Sequence, residues 1–319
     1  MGISAYLKDI GRGKDGARAL DRAQAADLMG RVLDGQVSDL ELGAFCIAMR
    51  VKGETPEELA GFLDAIHARL PVLPTSAAPT VVLPSYNGAR KLPVLTPLLA
   101  LALSRHGCRV IVHGQATDPG RITSHAVLQR LAALQHPVAF PVHATHGRTG
   151  PGVDACLTDT LLPGLQRLLD VRRVVGLRNS GHSLVKLLQP CPDALLISSY
   201  THPEYLQSMG ALFQLTGQRA LLLRGTEGEP VADPRRLPQI DLFLQGQRQT
   251  LVTTQAGSLT QLPELPAGQD LDATVTYIDD VLAGRRFMPA PIAQQVQLAM
   301  HAIAATPPTP ATQLLETTP

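Results

Sequence analysis

The sequence contains no tryptophan, and only 6 phenylalanines and 5 tyrosines among 319 residues. A surface that holds nucleobases mainly by stacking needs aromatic platforms, so this scarcity argues against that design. Charge is also sparse: Asp, Glu, Lys and Arg make up 17% of the chain, and the net charge is +1. Any basic surface must therefore be local, built by segregating charge. The four cysteines, Cys46, Cys108, Cys156 and Cys191, lie dozens of residues apart, without the close spacing of a zinc ligand set or a redox motif. They read as small buried hydrophobes in a reducing compartment. Long hydrophobic runs are missing too. The longest, Leu92–Leu103, is broken by two prolines and is too short to span a bilayer. Charges within the first ten residues argue against a secretory signal. A soluble, cytoplasmic protein with no membrane partner is expected.

What is present is an apolar fraction of 45%, enough for one large core or for one small and one large core. Residues 1 to about 70 read as helical. Ala23, Ala26, Leu28, Met29, Val32 and Leu33 recur at helical spacing before the stop at Asp34-Gly35. Ser38 and Glu41 form a capping box that opens a second helix to Arg50. Thr55 at the N-cap and Pro56 at the first helical position open a third, to about Leu70. Pro71–Pro79 is a linker by composition, since proline fixes φ and removes donors.

From Thr80 onward short apolar runs alternate with helical stretches. The strands are expected at Thr80–Pro84, Arg109–His113, Ala139–Val142, Leu195–Ser198 and Ala220–Arg224. The helices are expected at Thr96–His106, Ile122–Leu134, His202–Thr216 and Leu271–Ala283. This alternation implies right-handed crossovers and a mainly parallel central sheet. Helix Asp159–Leu169 breaks the rhythm and is placed against the N-terminal helices. The expected organisation is a small helical domain at 1–73, joined by a helical segment at about 157–190, and an α/β domain at 74–319. The Thr/Pro-rich stretch after Ala305 is expected to fray. No internal repeat is visible.

Residues 20–66, LDRAQAADLMGRVLDGQVSDLELGAFCIAMRVKGETPEELAGFLDAI, resemble the N-terminal helical domain of anthranilate phosphoribosyltransferases, including the KGET turn at Lys52–Thr55. Milder similarity continues to about Ala283. The resemblance implies a small α domain, a large α/β domain and a homodimer paired through the small domain. In that family a GTGGDG loop and an NxST turn hold the pyrophosphate and phosphate of the phosphoribosyl donor, because a polyanion needs bare backbone N–H groups at close approach. The aligned stretch here is Leu83–Gly88, where Pro84 removes a donor, the Tyr86 side chain takes space the pyrophosphate needs, and Asn87 and Gly88 close the loop. The NxST turn becomes Pro93-Val94-Leu95-Thr96. KHGN becomes Val112-His113-Gly114-Gln115, and the acidic magnesium turn GLDE becomes Thr226-Glu227-Gly228-Glu229. The degraded loop and magnesium turn point away from phosphoribosyl transfer, and no cofactor, metal or catalytic residue is expected.

The replacement segments, Pro84–Lys91, Gly176–Ser183, Thr201–Tyr205 and Arg224–Glu229, resemble the YbiB branch of the same superfamily. That resemblance implies nucleic-acid binding with little sequence preference and no transferase activity. Three basic groups are candidates for contacting phosphates. Lys8, Arg12, Lys14 and Arg18, with Arg22, form an N-terminal arm beside glycines, with Asp9, Asp15 and Asp21 among them; the bland reading is a solvated face. Arg172, Arg173, Arg178 and Lys186, with Arg167, form the second, and the resemblance implies that Arg172 faces an anion; guanidinium forks suit phosphate oxygens, although surface solvation is the plain alternative. Arg90 and Lys91 lie in the altered glycine loop, which is otherwise a rearranged structural turn. His143 and His146 have metal-like spacing, but with no carboxylate or thiolate nearby a zinc site is not expected. Ser180 and Ser183 flank His182 without a nucleophile elbow, so a hydrolase is not expected. A transferase with a changed donor or acceptor, and an assembly factor using the cleft for a protein partner, are the competing functions.

Overall fold

A computed structural model describes residues 2–13, 15–141 and 146–305. Four helices come first: α1 (Ser4–Ile10), α2 (Arg22–Leu33), α3 (Asp39–Lys52) and α4 (Pro56–His67). Local chemistry sets three of their starts, because Asp21/Gln24, Ser38/Glu41 and Thr55/Glu58 each form a reciprocal capping box. Glu58 does more than cap. Fully buried, it accepts the Leu20 N–H (2.9 Å) and the Lys52 ammonium (2.5 Å), so the Lys52–Thr55 turn is tied to the entrance of α2. The residues before α2 are not a free arm. Ile3 and Ile10 are 0% and 1% exposed, and the Ile3 N–H donates to Glu41 (2.9 Å), which docks α1 on α3.

The remaining elements are β1 (Thr80–Ser85), α5 (Thr96–Arg105), β2 (Arg109–Gly114), α6 (Ser124–Ala133), β3 (Val138–Ala139), β4 (Gly152–Leu157), α7 (Thr158–Leu161), α8 (Pro163–Val175), α9 (Gly181–Leu184), β5 (Leu195–Tyr200), α10 (Pro203–Thr216), β6 (Ala220–Arg224), β7 (Ile240–Leu244), β8 (Gln247–Val252), α11 (Leu271–Leu282) and α12 (Ala290–Ala304). The strands form one eight-stranded sheet in the order β3-β4-β2-β1-β5-β6-β7-β8. All pairs from β3 to β6 are parallel, while β7 and β8 add an antiparallel end. Fold class is therefore as expected, a helical layer plus a large α/β part with a mostly parallel sheet. Pro84 fits inside the central strand β1 because pairing with β5 stops at Val82.

Alternate side chains of one strand feed different cores. Val81 and Leu83 pack with α5, α6, α11 and α12, whereas Val82 packs on the other face with the N-terminal helices, α8 and α10. That second core is built from two separate stretches of chain. α8 lies on α2 so closely that a Cβ on Gly164 would sit 2.2 Å from the Leu33 carbonyl oxygen. Arg167 seals the junction, donating to the Val32 and Leu33 carbonyls (2.9 and 3.1 Å) at the end of α2.

Several elements depart from expectation. β4 carries Asp154 in its middle, paired with Arg109 of β2 (3.1 Å) at 1% exposure each, so a buried ion pair hides the strand's apolar character. β8 is a polar edge strand, and α12 lies beyond the last expected helix. The expected strand Ala139–Val142 shrinks to Val138–Ala139, with Val142 outside the described residues. Among the described residues no helix is long and apolar enough to cross a membrane. On the outer face of α3, Leu40, Ile47 and Val51 are 83%, 39% and 55% exposed, in line at helical spacing.

Candidate anion-binding cleft

The carboxyl ends of parallel strands are where open α/β sheets gather their loops. Here the loops after β1, β5 and β6 face the C-terminal end of α3 and the segment 178–186, enclosing a cleft of about 680 Å³.

One wall is the loop that follows β1, and its donors are already taken. Glu229, 1% exposed, points its carboxyl group into the loop. There it accepts the Gly88 N–H (2.8 Å), the Thr96 hydroxyl (2.7 Å), the Ser124 hydroxyl (3.4 Å) and the Ser85 hydroxyl at shorter range. Gly88 has φ +63°, and a Cβ there would lie 2.5 Å from the Ile122 carbonyl oxygen, so the loop needs this glycine. Burial pushes the Glu229 carboxyl up, against the pull of these donors and of Lys186. Glu227 does the same for the next turn, accepting the N–H groups of Arg90, Lys91 and Leu92 (3.0, 2.9 and 3.4 Å) and lying 3.7 Å from Arg121. Burial would raise its carboxyl, but those N–H groups and Arg121 outweigh it and hold the group low. Two carboxyl groups of the chain thus sit where a phosphate-holding loop would present its donors.

The opposite wall is cationic. Arg178 donates to the Asn87 side-chain oxygen (3.2 Å), and the Asn87 amide donates in turn to the Glu227 carbonyl (3.0 Å), which joins the two walls. Arg50 reaches from α3 to the Arg178 carbonyl (3.0 Å). Among the described residues Lys186 has one long hydrogen bond, to the Ser199 carbonyl (3.4 Å), and burial with Arg178 nearby pushes its ammonium down to about 8 despite Glu229. His182 is 5% exposed and stands edge-on to Tyr86 at 5.6 Å. Burial, then Arg178 and Arg172, push it down to about 3, so the ring is neutral. Four cations line the cleft, Arg50, Arg121, Arg178 and Lys186, against two acids, Glu54 and Glu227. Burial pushes the Glu54 carboxyl up, against a hydrogen bond from the Ser180 hydroxyl (2.5 Å).

The residues singled out in the sequence fall into distinct places. Arg178 and Lys186 line the cleft. Arg172 and Arg173 are exposed in the last turn of α8, outside the lining, with Arg173 leaning on Asp170 (3.4 Å) and Arg172 near enough to act on Arg178. Of the arginines in this segment, Arg178 therefore faces the cleft, and Arg172 stands outside its lining. Arg167 is a helix-end cap, not a member of a basic surface. Arg90 and Lys91 are exposed beside the loop, while Asn87, Gly88 and Thr96 are buried in it. His113 is fully buried on β2, where burial pushes it down to about 4 and its Nε2–H donates to the Leu188 carbonyl (3.1 Å). Gly114 ends β2 and accepts the Thr158 hydroxyl (3.1 Å). Lys8, Arg12 and Arg18 are exposed at the far N-terminal segment, where Arg12 caps the Lys8 carbonyl (2.8 Å). Lys14 and His143 lie outside the described residues. Sequence reasoning missed Arg50, Arg121 and the roles of Glu227 and Glu229. The two glutamates around Gly228 in Thr226–Glu229 were the signal for the last two.

Three comparisons bear on the fold and the cleft. Residues 4–69 match the helical bundle domain of a glycosyl transferase family. YbiB of Escherichia coli (strain K12) is 37% identical over 95% of this chain and 94% of its own. An anthranilate phosphoribosyltransferase of Parasynechococcus marenigrum is 28% identical over 84% of this chain and 77% of its own. Among solved structures, the anthranilate phosphoribosyltransferase of Thermus thermophilus superposes with a TM-score of 0.69 at 21% identity, covering 93% of this chain and 87% of that one. The Saccharomyces cerevisiae enzyme in complex with PRPP and Mg gives 0.66 at 13% identity, covering 96% and 89%.

Proposed function

Since the chain belongs to the YbiB branch of the anthranilate phosphoribosyltransferase superfamily, we propose that it binds the backbone of nucleic acids with little sequence preference and transfers no phosphoribosyl group. The observation that carries this reading is the exchange of charge between the two walls. Glu229 and Glu227 take up the loop donors that a diphosphate would need, while Arg50, Arg178 and Lys186 leave the other wall cationic. A loop filled by its own carboxyl groups repels a polyphosphate on Mg²⁺. A wall of cationic groups suits phosphate oxygens, and contacts to phosphate position a strand without reading its sequence. Arg172 and Arg173 outside the lining, with Arg90 and Lys91 beside the loop, extend the cationic surface outward. Lys8, Arg12, Lys14 and Arg18 lie in the N-terminal segment, away from this wall in sequence, and are the weaker candidates. The chain acts as a homodimer in this reading, pairing through the exposed apolar face of α3.

The test is a titration with single-stranded and duplex oligonucleotides of unrelated sequence at several salt concentrations. Log affinity should fall with log salt by roughly 0.7–0.9 per neutralised phosphate. The Arg172→Ala/Arg173→Ala double variant should weaken every oligonucleotide alike and make that slope shallower by about two contacts. Unchanged affinity and slope in a folded double variant would move the groove elsewhere. A transferase with an altered donor or acceptor is the second reading, favoured by the 28% identity to a named transferase. Magnesium-dependent consumption of phosphoribosyl pyrophosphate by the purified protein would establish it and overturn the first.

A further inference from the structure

Two groups of the cleft, the half-buried Lys186 and the buried His182, have more hydrogen-bonding capacity than partners. Lys186 carries three N–H donors but makes a single hydrogen bond among the described residues, to the Ser199 carbonyl at 3.4 Å. His182 Nε2 is buried with no partner among them. Its Nδ1 lies 3.3 Å from both the Asn179 backbone N–H and the Asn179 side-chain oxygen, and that oxygen also accepts the Gly181 N–H (3.0 Å), so the ring is free to carry its proton on Nε2 where an anion accepts it. A buried donor without an acceptor is costly, so such a group points to a ligand that completes it. Arg178 adds a guanidinium fork to the same wall.

We propose that Lys186, Arg178 and the Nε2–H of His182 hold a single phosphate monoester of nucleotide size, on the wall facing the glutamate-filled loop. All three residues line the same cleft within one short segment and are close enough to perturb one another, which favours a dianion over a singly charged group. A monoester phosphate is a dianion near neutral pH, whereas a diester inside a strand carries one charge and has chain on both sides. The cleft volume, about 680 Å³, is that of a small-ligand pocket. Its edge offers His202 and Tyr205, ring centroids 6.4 Å apart, as an apolar seat for a base. The same chemistry arrives either as a free nucleotide or as the phosphorylated end of a strand. This deepens the function proposed above and rests on the cleft being an anion site.

The experiment uses the full chain in calorimetric titrations with adenosine 5′-monophosphate, adenosine, and matched oligonucleotides with a 5′-phosphate or a 5′-hydroxyl. Adenosine 5′-monophosphate should bind at least tenfold more tightly than adenosine. Lys186→Gln should weaken it at least tenfold, and so should His182→Phe, which keeps the ring packed on Tyr86 and guards against a folding artefact. Arg172→Ala/Arg173→Ala should leave it within twofold. A 5′-phosphate that strengthens oligonucleotide binding assigns the site to strand ends, and binding of the free nucleotide alone assigns it to a small metabolite; both support the site. Equal binding of adenosine and its monophosphate, or insensitivity to both Lys186→Gln and His182→Phe in folded protein, overturns it. Circular single-stranded DNA, which has no ends, separates the two proposals. If it fails to bind while the monophosphate binds, the backbone reading falls and the monoester site stands; the reverse pattern does the opposite.

Discussion

Removing the carboxyl group of Glu229 tests whether the loop after β1 is held together from within. In Glu229→Ala the Gly88 N–H loses its acceptor and Lys186 loses its nearest opposing charge. The Ser85 and Ser124 hydroxyls retain each other at 2.6 Å, whereas the Thr96 hydroxyl loses its Glu229 acceptor. The loss is therefore about 3–5 kcal/mol, dominated by the uncompensated cation and the orphaned N–H. Glu229→Gln keeps an oxygen for Gly88 and places an amide among hydroxyls that can reverse their direction, so it should cost about 1–2 kcal/mol. Denaturant unfolding with unchanged m-values would read both numbers. Inorganic phosphate supplies the second arm. It should raise the midpoint of the Ala variant more than that of the wild type, by about 2.7 kcal/mol at a hundred times its Kd. An Ala variant as stable as the wild type to within about 0.5 kcal/mol, and indifferent to phosphate, would falsify the idea that Glu229 stands in for an external anion.

Lys186 gives a pH signature. Its ammonium is pushed down from 10.5 to about 8 in the folded chain, so between those values the unfolded chain binds more protons and stability rises with pH. Lys186→Met should abolish that rise, whose amplitude is up to roughly 3 kcal/mol, in paired denaturation curves from pH 7 to 10. Light scattering at micromolar concentration should give twice the 34.0 kDa chain mass, and Ile47→Glu, on the exposed face of α3, should return one chain mass while circular dichroism stays unchanged; a monomeric wild type would sink the pairing. Ile10→Ala should destabilise by about 2–5 kcal/mol, because the side chain is 1% exposed and α1 is docked, whereas a flexible arm would lose nothing.

The helices and the parallel strands were legible where local chemistry and tertiary packing agree. The Ser38 and Thr55 caps and the apolar runs of β1, β2, β5 and β6 all appear where their sequence places them. The misses share one physical cause: polar residues whose meaning depends on a distant partner. Asp154 looks like a loop residue until Arg109 is found beside it, 45 positions away. Glu229 reads as a misplaced magnesium ligand until the Gly88 loop, 141 positions upstream, is seen to need an acceptor. Arg167 looks like surface charge, yet its targets are carbonyls more than 130 residues back. Arg178 and Lys186 were visible because they fall within one short segment, whereas Arg50 and Arg121 join them only through the fold.

The helical layer, assembled from residues near the start of the chain and from α8 in its middle, also sets a timetable for biosynthesis. When the first 70 residues have left the ribosome, the side of α2 that meets Gly164 has nothing to cover it, and the Leu33 carbonyl awaiting Arg167 faces water. About a hundred further residues, including β1, β2 and β4, must emerge before that side can close. Contacts this distant in sequence are slow to form because loop closure comes before any reward. The nascent protein therefore exposes a sticky helical surface for several seconds at ordinary elongation rates, of roughly 5–20 residues per second. A translational pause just before α8 prolongs that exposure, and one just after it gives the layer time to close.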